Sequence, residues 1–309
     1  MSGVRVAVGG LPYFGRRLAE LLDGDGWRTW YLETRAWEPR AALQALRQAA
    51  SADGVYMVGG QVERWSRPHL LRAALRRPMA MHWAGSDVLS ARRARMAGRS
   101  AKALLHGVTH WAGAPWLVEE LRPLGVCARW LPHSWVDAPP AMPPLPRSDA
   151  SPFTLLTYLP EKRAAFYGGE AVLRLARALP EVEVLVTGTR SLTWPAPPNV
   201  RCLGWVEDMA PLYARAHALL RLPHHDGLSF MVQEALAFGR YAVWTHAFPG
   251  AIAARNPDQA IAAVRALSCN HAEGSLRLNE TGATHVREHF SRERIRTGLR
   301  AALAEVVGR

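Results

Sequence analysis

The chain lacks any apolar run of the ~20 residues that a helix needs to span a bilayer. The first residues, MSGVRVAVGGLPYFG, lack the charged segment, the long apolar stretch and the small-residue cleavage site of a secretory signal. Cysteine is scarce: Cys127, Cys202 and Cys269 lie far apart without a CxxC pair, so neither a disulfide framework nor a zinc site is supported. These absences predict reduced, structural cysteines and a cytoplasmic protein.

Sequence patterns of two other binding classes are missing as well. The turn after the first apolar run, V-G-G-L-P-Y-F-G, does not have the G-x-G-x-x-G spacing of a dinucleotide site, which argues against a dehydrogenase. No helix-turn-helix, zinc-finger or RNA-recognition pattern occurs in the sequence. A nucleic-acid-binding protein is therefore a hypothesis that rests only on the basic composition.

The chain does contain a repeated alternation of strand and helix patterns. It has 309 residues, of which 49% are hydrophobic, and this suits two packed α/β domains better than one core. In residues 1–137, short apolar runs such as Val4–Val8 alternate with amphipathic segments. Residues 138–150, APPAMPPLPRSDA, are proline-rich and predict an extended linker. The alternation resumes in residues 151–309 and ends in a helix over Arg292–Val307.

This organisation predicts an α/β fold with two doubly wound, Rossmann-like domains. The N-terminal domain would comprise residues 1–137, and the C-terminal domain would comprise residues 151–309 with its terminal helix. Two such domains are expected to face each other across a cleft. Ligands in doubly wound folds bind at the carboxyl ends of the strands, so the candidate residues are sought there.

Positive charge is concentrated in the first half of the chain. The net charge is +12; residues 1–137 contain 19 Lys/Arg against 11 Asp/Glu, whereas residues 138–309 contain 19 against 15. This excess predicts an anionic partner such as a phosphate, an acidic lipid or a nucleic acid. One basic helical stretch forms either a solvated face or a patch for an anionic membrane. Its basic residues are Arg92, Arg93, Arg95, Arg99 and Lys102.

The most informative segment is 222–239, LPHHDGLSFMVQEALAFG. Its pattern predicts a helix that starts near Leu228, with Asp226 in the loop before it and Glu234 almost two turns inside it. The amide groups at such a helix start carry roughly half a positive charge. They would therefore suit a diphosphate.

This segment resembles the donor site of the retaining GT-B glycosyltransferases. Their pattern is E-G-F-G-x-x-x-x-E-A-x-A-x-G, and this chain has D-G-L-S-F-M-V-Q-E-A-L-A-F-G. The resemblance implies that Asp226 faces the donor sugar and that Glu234 binds the ribose hydroxyls. The chain departs from the pattern by having Asp, which is one methylene shorter, at the first acid. The resemblance further implies that the diphosphate is bound by the turn residues Gly227, Leu228, Ser229 and Phe230.

The sequence before this segment extends the resemblance. The stretch N-V-R-C-L-G-W-V-E-D-M-A-P-L-Y-A-R-A-H is similar to a stretch of the family in which the loop after the strand lies against the nucleobase, which implies that role for Gly204 and Trp205. The stretch V-T-G-T-R is similar to the strand end I-x-G-x-G and adds Gly188. The family's G-R element after the first strand of this domain is missing. Lys162 and Arg163 are the nearest groups that could neutralise a leaving diphosphate, or they form a solvated loop pair.

The first half of the chain contains the remaining candidates. Gly9 and Gly10 border the donor phosphates if the resemblance holds, or they form a purely structural turn. The stretch H-W-A-G-S-D-V is similar to stretches of some bacterial GT-B chains, which would place His82 or Asp87 near the acceptor hydroxyl as catalytic residues. Alternatively, Asp87 caps the next helix and His82 is an interior histidine. His225, beside the first acid, is a further catalytic candidate.

These observations predict a hexosyltransferase that moves a sugar from a UDP- or GDP-linked donor to an acceptor hydroxyl, with retention and without a metal or cofactor. The expected acceptor is a glycan, a lipid-linked molecule or a small molecule, in bacterial glycan, glycolipid or natural-product glycosylation. The basic N-terminal domain would make any peripheral contact with an anionic membrane, and no nucleic acid is expected. The alternatives are a catalytically inactive GT-B-like protein that binds a sugar nucleotide or a glycan and, less favoured, a nucleic-acid-binding protein.

Overall fold

A computed structural model describes residues 3–34 and 39–308. The chain forms two compact units, each built around its own sheet. Unit 1 consists of Met1–Ser134, Asp226–Leu228 and Arg292–Arg309. Unit 2 consists of Trp135–His225 and Ser229–Ser291.

Unit 1 alternates strands and helices along the chain. Its elements up to the linker are β1 (Val4–Gly10), α1 (Pro12–Leu22), β2 (Trp27–Tyr31), α2 (Pro39–Ala50), β3 (Gly54–Val58), α3 (Arg67–Leu75), β4 (Met79–Trp83), α4 (Asp87–Met96), α5 (Lys102–His106), β5 (Thr109–Ala112), α6 (Pro115–Leu121) and β6 (Ala128–Trp130). The strands form one parallel sheet in the order β2-β1-β3-β4-β5-β6. Strands β3 and β4 are buried along their whole length, as expected where helices cover both faces of a parallel sheet.

Unit 2 repeats this architecture. Its elements are β7 (Thr154–Tyr158), α7 (Gly169–Ala178), β8 (Glu183–Thr187), β9 (Val200–Gly204), α8 (Ala210–Arg215), β10 (Ala218–Arg221), α9 (Phe230–Ala237), β11 (Tyr241–Trp244), β12 (Ala251–Ala253), α10 (Pro257–Ala272) and α11 (Glu280–His289). The parallel sheet has the order β12-β11-β10-β7-β8-β9. Its core joins Leu155, Val184 and Leu220 of the central strands to Leu175 of α7 and Val264 of α10.

The last helix, α12 (Arg292–Val307), belongs to unit 1. It packs against α1, β3 and β4, and Arg300 donates hydrogen bonds to the carbonyl oxygens of Leu22 (2.9 Å) and Gly24 (2.7 Å). The order of elements in the sequence predicts this helix in the C-terminal domain, whereas the structure places it in unit 1. Sequence order does not show which core an amphipathic helix packs against, because its apolar face suits either one.

The proline-rich linker lies against unit 2. The Arg240 side chain is fully buried, and its guanidinium donates to the carbonyl oxygens of Pro143 (3.0 Å) and Pro144 (3.1 Å). It also donates to the carbonyl oxygens of Tyr213 (2.8 Å) and Ala214 (3.0 Å). Burial lowers the pKa of Arg240 to about 10. Carbonyl acceptors partly replace the water that this cation loses, and they join the linker to the end of α8.

Two doubly wound α/β units agree with the predicted fold class. In each sheet the strand order reverses at one point, between β1 and β3 in unit 1 and between β7 and β10 in unit 2. Doubly wound folds bind ligands beyond the carboxyl ends of the strands at such switch points. Within the described part of the chain, no helix combines the length and the apolar composition that crossing a bilayer requires.

Candidate functional site

The switch point of unit 2 is basic and aromatic. Arg221 ends β10, and its guanidinium carbon lies 5.3 Å from the centroid of the Tyr167 ring. Arg163 lies 4.3 Å from the Phe166 ring and 5.6 Å from the Tyr167 ring. His224 stacks on Phe166, with the ring centroids 6.0 Å apart and an interplanar angle of 18°. Two guanidinium groups therefore share one aromatic pair beside the carboxyl end of the sheet, where they can neutralise an anion.

The structure brings Arg163 to this point and also Arg221, which sequence reasoning missed. Lys162 and Arg163 belong to a single helical turn, Glu161–Arg163, and both are exposed. The basic pair therefore follows β7, as the sequence analysis expects, in a loop open to solvent. The sequence contains no motif that indicates a functional role for Arg221, because a single arginine at the end of a short strand is not distinctive.

Helix α9 begins at Phe230, two residues later than the sequence pattern predicts. Ser229 is the N-cap residue in an extended conformation, and its side chain makes no capping hydrogen bond. The first hydrogen bond of the helix runs from the amide of Gln233 to the carbonyl oxygen of Ser229 (3.2 Å). The amides of the first turn point out of the amino end of the helix, together with the positive end of its dipole. The amides available to bind a diphosphate at the start of α9 therefore begin at Ser229, rather than spanning residues 227–230 as the sequence pattern predicts.

The later start of α9 changes the position of Glu234. This residue is the fifth in the helix, about one turn inside it rather than almost two. The Tyr213 hydroxyl, in α8, donates a hydrogen bond to Glu234 Oε2 at 2.6 Å. Tyr213 is buried, whereas Glu234 is half-buried. A rigid phenol therefore orients the carboxylate, a role that sequence reasoning missed although this tyrosine lies in the stretch that resembles the family.

The carboxyl ends of β8 and β9 form a second part of this edge. The Gly188 amide donates to the Gly204 carbonyl oxygen (2.7 Å), and the Gly204 amide donates to the Thr189 carbonyl oxygen (2.8 Å). The side chain of Arg190 lies over Gly204, where an added Cβ would approach Arg190 Cγ to 3.0 Å. Trp205, the next residue, is 70% exposed. The edge thus presents an indole beside a guanidinium, both of which stack on planar aromatic groups.

Asp226–Leu228 packs with the loop after β4, in unit 1. The Trp116 indole donates a hydrogen bond to the Asp226 carbonyl oxygen at 2.9 Å. A Cβ added to Gly227 would overlap the Ala84 carbonyl oxygen, and one added to Gly85 would lie 2.6 Å from the Gly227 amide nitrogen. Only glycine fits at either position, because the two backbones touch directly. This contact holds the loop that carries Asp226.

The carboxylate of Asp87 organises this same loop. Its Oδ2 accepts hydrogen bonds from the amides of Gly60 and Ala84, and its Oδ1 accepts from the amides of Gly85 (2.8 Å) and Val88 (3.1 Å). Burial raises the pKa of Asp87, and the four amide donors oppose that rise. Asp87 is the first residue of α4. These contacts favour the alternative in which Asp87 has a structural role at the helix start, over a position beside an acceptor hydroxyl.

His82 is fully buried, and both of its ring nitrogens are occupied. Nε2 lies 2.7 Å from the Leu131 carbonyl oxygen, which can only accept, so Nε2 carries the hydrogen. Nδ1 then accepts from the Tyr56 hydroxyl at 2.7 Å. Burial lowers the pKa of His82 well below its usual value, and nearby His133 lowers it further. The contacts favour an interior histidine over a proton-transfer group.

The other candidates of the first half and of the β10 loop remain predictions. A Cβ on Gly10 would overlap the Val58 carbonyl oxygen, so its close packing on β3 explains this glycine without a ligand. Gly9 lies beside Met57, whose sulfur would be 2.9 Å from an added Cβ. His225 is half-buried at the end of its segment of unit 2.

Two doubly wound α/β units match the predicted GT-B fold, although the terminal helix belongs to unit 1 rather than to the predicted C-terminal domain. Sucrose-phosphate synthase from Thermosynechococcus elongatus superposes with a TM-score of 0.72 at 13% identity, covering 100% of both chains. HepE from Anabaena, in a complex with UDP-glucose, gives 0.68 at 10% identity and covers 97% of this chain and 99% of its own. A glycosyltransferase from Rickettsia africae gives 0.67 at 10% identity, covering 99% of both chains. No protein-family model and no curated protein sequence matches the chain.

Proposed function

We propose that this protein is a glycosyltransferase that moves a sugar from a nucleotide-diphosphate donor to an acceptor hydroxyl. The observation that carries the proposal is the switch point of unit 2. Arg163 and Arg221 lie there, and α9, which follows β10 in the chain, carries Glu234 oriented by the buried Tyr213. Each part matches one part of a nucleotide diphosphate: two anionic phosphates and a ribose with two hydroxyls.

In this proposal, unit 2 binds the nucleotide. Glu234, oriented by Tyr213, accepts hydrogen bonds from the ribose hydroxyls. Trp205 stacks with the base, next to the turn formed by Gly188 and Gly204. The base is that of UDP or GDP, and the UDP-glucose in the HepE structure, which has the same fold, favours UDP.

Charge on the departing diphosphate governs the chemical step. The bond between the anomeric carbon and the diphosphate oxygen breaks as the acceptor oxygen bonds to that carbon, so negative charge grows on the diphosphate, and the proton of the acceptor hydroxyl passes to the departing phosphate oxygen. Arg163, Arg221 and Lys162 neutralise this charge together with the amides at the start of α9, without a metal. Asp226 contacts the sugar hydroxyls. Resemblance of the D-G…E segment to retaining enzymes supports retention at the anomeric carbon.

The acceptor side belongs to unit 1 in this proposal, with a glycan, lipid-linked or small-molecule acceptor in bacterial glycan, glycolipid or natural-product glycosylation. Arg92, Arg93 and Arg95 are exposed on α4, beside Met96, which is 82% exposed. Exposed basic side chains attract an anionic bilayer by roughly 1 kcal/mol each near its surface. We expect binding to phosphatidylcholine vesicles that contain phosphatidylglycerol and none to vesicles of phosphatidylcholine alone. Equal binding to both would contradict the membrane contact.

Nucleotide binding and donor turnover test the proposal in order. Thermal shift and calorimetry with UDP, GDP and dTDP identify the base, and the UDP- or GDP-sugars are then assayed for release of the nucleotide. An Arg221→Gln variant should lose affinity for the nucleotide, because one cation leaves the anion site, whereas Arg122→Gln removes an exposed cation from unit 1 and serves as the control. Failure of every nucleotide to bind would exclude the proposed function.

One further candidate is a GT-B-like protein that binds a sugar nucleotide or a glycan without turnover. It is favoured by Asp226, which is a methylene shorter than the family's glutamate, and by the missing G-R element. Donor turnover separates the two: binding of a sugar nucleotide without release of the nucleotide, in the presence of a range of acceptors, would identify the inactive protein.

A further inference from the structure

Trp65, in unit 1, is held in an unusual and exposed position. Its side chain is 76% exposed, and its backbone has a φ of 63°, in the left-handed region that bulky residues rarely adopt. The Trp65 amide donates to Nδ1 of His69 at 3.0 Å, and the two rings lie 6.1 Å apart. Backbone strain of this kind is kept mainly where the side chain has a function.

A short ribbon fixes the backbone on which Trp65 sits. Glu63 and Ser100 form an antiparallel bridge, and the Arg64 amide donates to the Arg99 carbonyl oxygen at 2.8 Å. Arg99 Nε donates to Glu63 Oε1 at 2.5 Å, which closes the ribbon with an ion pair. The loop after β3 is thus tied to the residues after α4. The indole is presented to solvent from a fixed support, so little conformational entropy is lost when a ligand binds it.

A groove opens beside this indole. Its volume is about 380 Å³, within the range of small-molecule sites, which is roughly 300–1,000 Å³. Its lining combines the small residues Gly60 and Ala91 with the side chains of Gln61, Trp65 and Ser66. The Ser66 hydroxyl is buried and makes no hydrogen bond within the described part of the chain, although Ser66 is the N-cap residue of α3. Ser66 therefore has, at the groove lining, a hydroxyl without a protein partner among the described residues.

The lining has the chemistry of a carbohydrate site. A pyranose ring has an apolar C–H face that packs flat on an indole, and its hydroxyls pair with amide and hydroxyl side chains such as Gln61 and Ser66. Glu63 and Arg67 contribute one charge of each sign to the lining, so the lining has no net charge, which suits a neutral sugar. We propose that this groove, the Trp65 groove, binds a pyranose ring of a glycan acceptor. This inference rests on the proposed function, because it identifies the acceptor of that transfer.

The position of the Trp65 groove fits an acceptor subsite. Gly60, in its lining, donates its amide hydrogen to Asp87 Oδ2, the same oxygen that accepts from Ala84. Ala84 and Gly85 contact Gly227, next to Asp226. A single carboxylate therefore connects the groove to the loop beside the proposed sugar-contacting residue. A sugar in the groove would extend the acceptor from that loop.

Binding of neutral trisaccharides to the full chain tests the proposal. Maltotriose, cellotriose and chitotriose are titrated by calorimetry and by saturation-transfer NMR, against wild type, Trp65→Ala, Trp65→Phe and Ser66→Ala. We expect at least one trisaccharide to bind, Trp65→Ala to weaken it by about 10-fold or more, and Trp65→Phe to keep most of the affinity, because a phenyl ring retains a stacking face. Trp130→Ala is the matched control, since it removes an exposed indole from outside the groove lining.

Titration with UDP and GDP separates this inference from the proposed function. Trp65→Ala should bind the nucleotide as wild type does, because the nucleotide site belongs to unit 2. Wild-type protein that binds a nucleotide but none of the trisaccharides would overturn the groove assignment alone. If Trp65→Ala keeps its affinity for the trisaccharide but no longer binds vesicles that contain phosphatidylglycerol, the groove assignment is overturned in favour of a membrane contact. Trisaccharide binding without any nucleotide binding would instead overturn the proposed function.

Discussion

The hydrogen bond between Tyr213 and Glu234 allows a quantitative test of the nucleotide site. The phenol donates to Oε2 at 2.6 Å from a buried position, so it holds the carboxylate in one orientation. Glu234→Ala should remove the proposed contact with the ribose altogether. Tyr213→Phe should keep the carboxylate and remove only the group that orients it.

The expected magnitudes differ for the two variants. A hydrogen bond to a charged group contributes ~1.5–3 kcal/mol, so Glu234→Ala should weaken nucleotide binding by roughly 10- to 150-fold. Immobilising a side chain costs ~0.5–1.5 kcal/mol, so Tyr213→Phe should weaken binding by roughly 2- to 10-fold. The double variant should bind like Glu234→Ala, because no carboxylate is left for the tyrosine to orient.

Calorimetry with UDP and with 2′,3′-dideoxy-UDP isolates the ribose contact, with the guanosine pair used instead if GDP is the ligand. Wild type should prefer the hydroxylated nucleotide, Glu234→Ala should bind both equally, and Tyr213→Phe should show a reduced preference. Tyr241→Phe is the matched control, because it removes a phenol from the amino end of β11 in the same sheet. Discrimination retained by Glu234→Ala would refute the ribose role. An unchanged preference in Tyr213→Phe would refute the positioning role.

Three other predictions concern packing and protonation. Gly227→Ala should reduce the rate of sugar transfer by about 10-fold or more, since its Cβ would overlap the Ala84 carbonyl oxygen and displace the loop. Gly298→Ala, where the added Cβ meets nothing within 4 Å, should leave the rate unchanged, and a Gly227→Ala variant as fast as Gly298→Ala would refute the claim. Asp87→Asn should lower the Tm measured by calorimetry by roughly 4–8 °C, equivalent to about 2 kcal/mol, because the amide nitrogen of the new side chain would face backbone amide donors. An unchanged Tm together with a loss of sugar transfer would indicate a chemical role for Asp87 instead. Burial lowers the pKa of His217 from 6.5 to about 4, so the unfolded chain binds the proton first and stability is lost as pH falls from 6.5 towards 4. Urea unfolding should show that His217→Gln loses less unfolding free energy than wild type between pH 6.5 and pH 5, by up to roughly 1.5 kcal/mol. An identical pH dependence in the two proteins would contradict the lowered pKa of His217.

Much of the fold follows from local patterns. The alternation of apolar runs with amphipathic helices predicted two doubly wound domains, and the parallel sheets confirm them. Strands β6 and β12 were missed, because three residues are too few for a periodic pattern to be recognised. The start of α9 was placed two residues early, because a loop of Gly, Leu and Ser carries no signal that separates loop from first turn.

Some residues of the candidate site can likewise be recognised from the sequence, whereas others depend on contacts between distant segments. Asp226 and Glu234 are proposed as site residues because their segment resembles a family motif, which can be recognised from the order of residues in the chain. Arg221 and the Tyr213–Glu234 hydrogen bond were not identified, because each depends on elements that are distant in sequence. His82 and Asp87 were left with two alternatives each, and only their partners favour one of them.

The sequence by itself determined most of the strands and helices, the place of the proline-rich segment, and the loop and helix that carry Asp226 and Glu234, because these depend on periodicity and on short-range spacing. Only the tertiary structure decided which unit the last helix joins, which buried polar groups are satisfied, and that Trp65 stands exposed beside a groove. Those features depend on which distant segments come into contact. A local pattern does not contain that information, since the same apolar face or carboxylate can be satisfied by more than one partner.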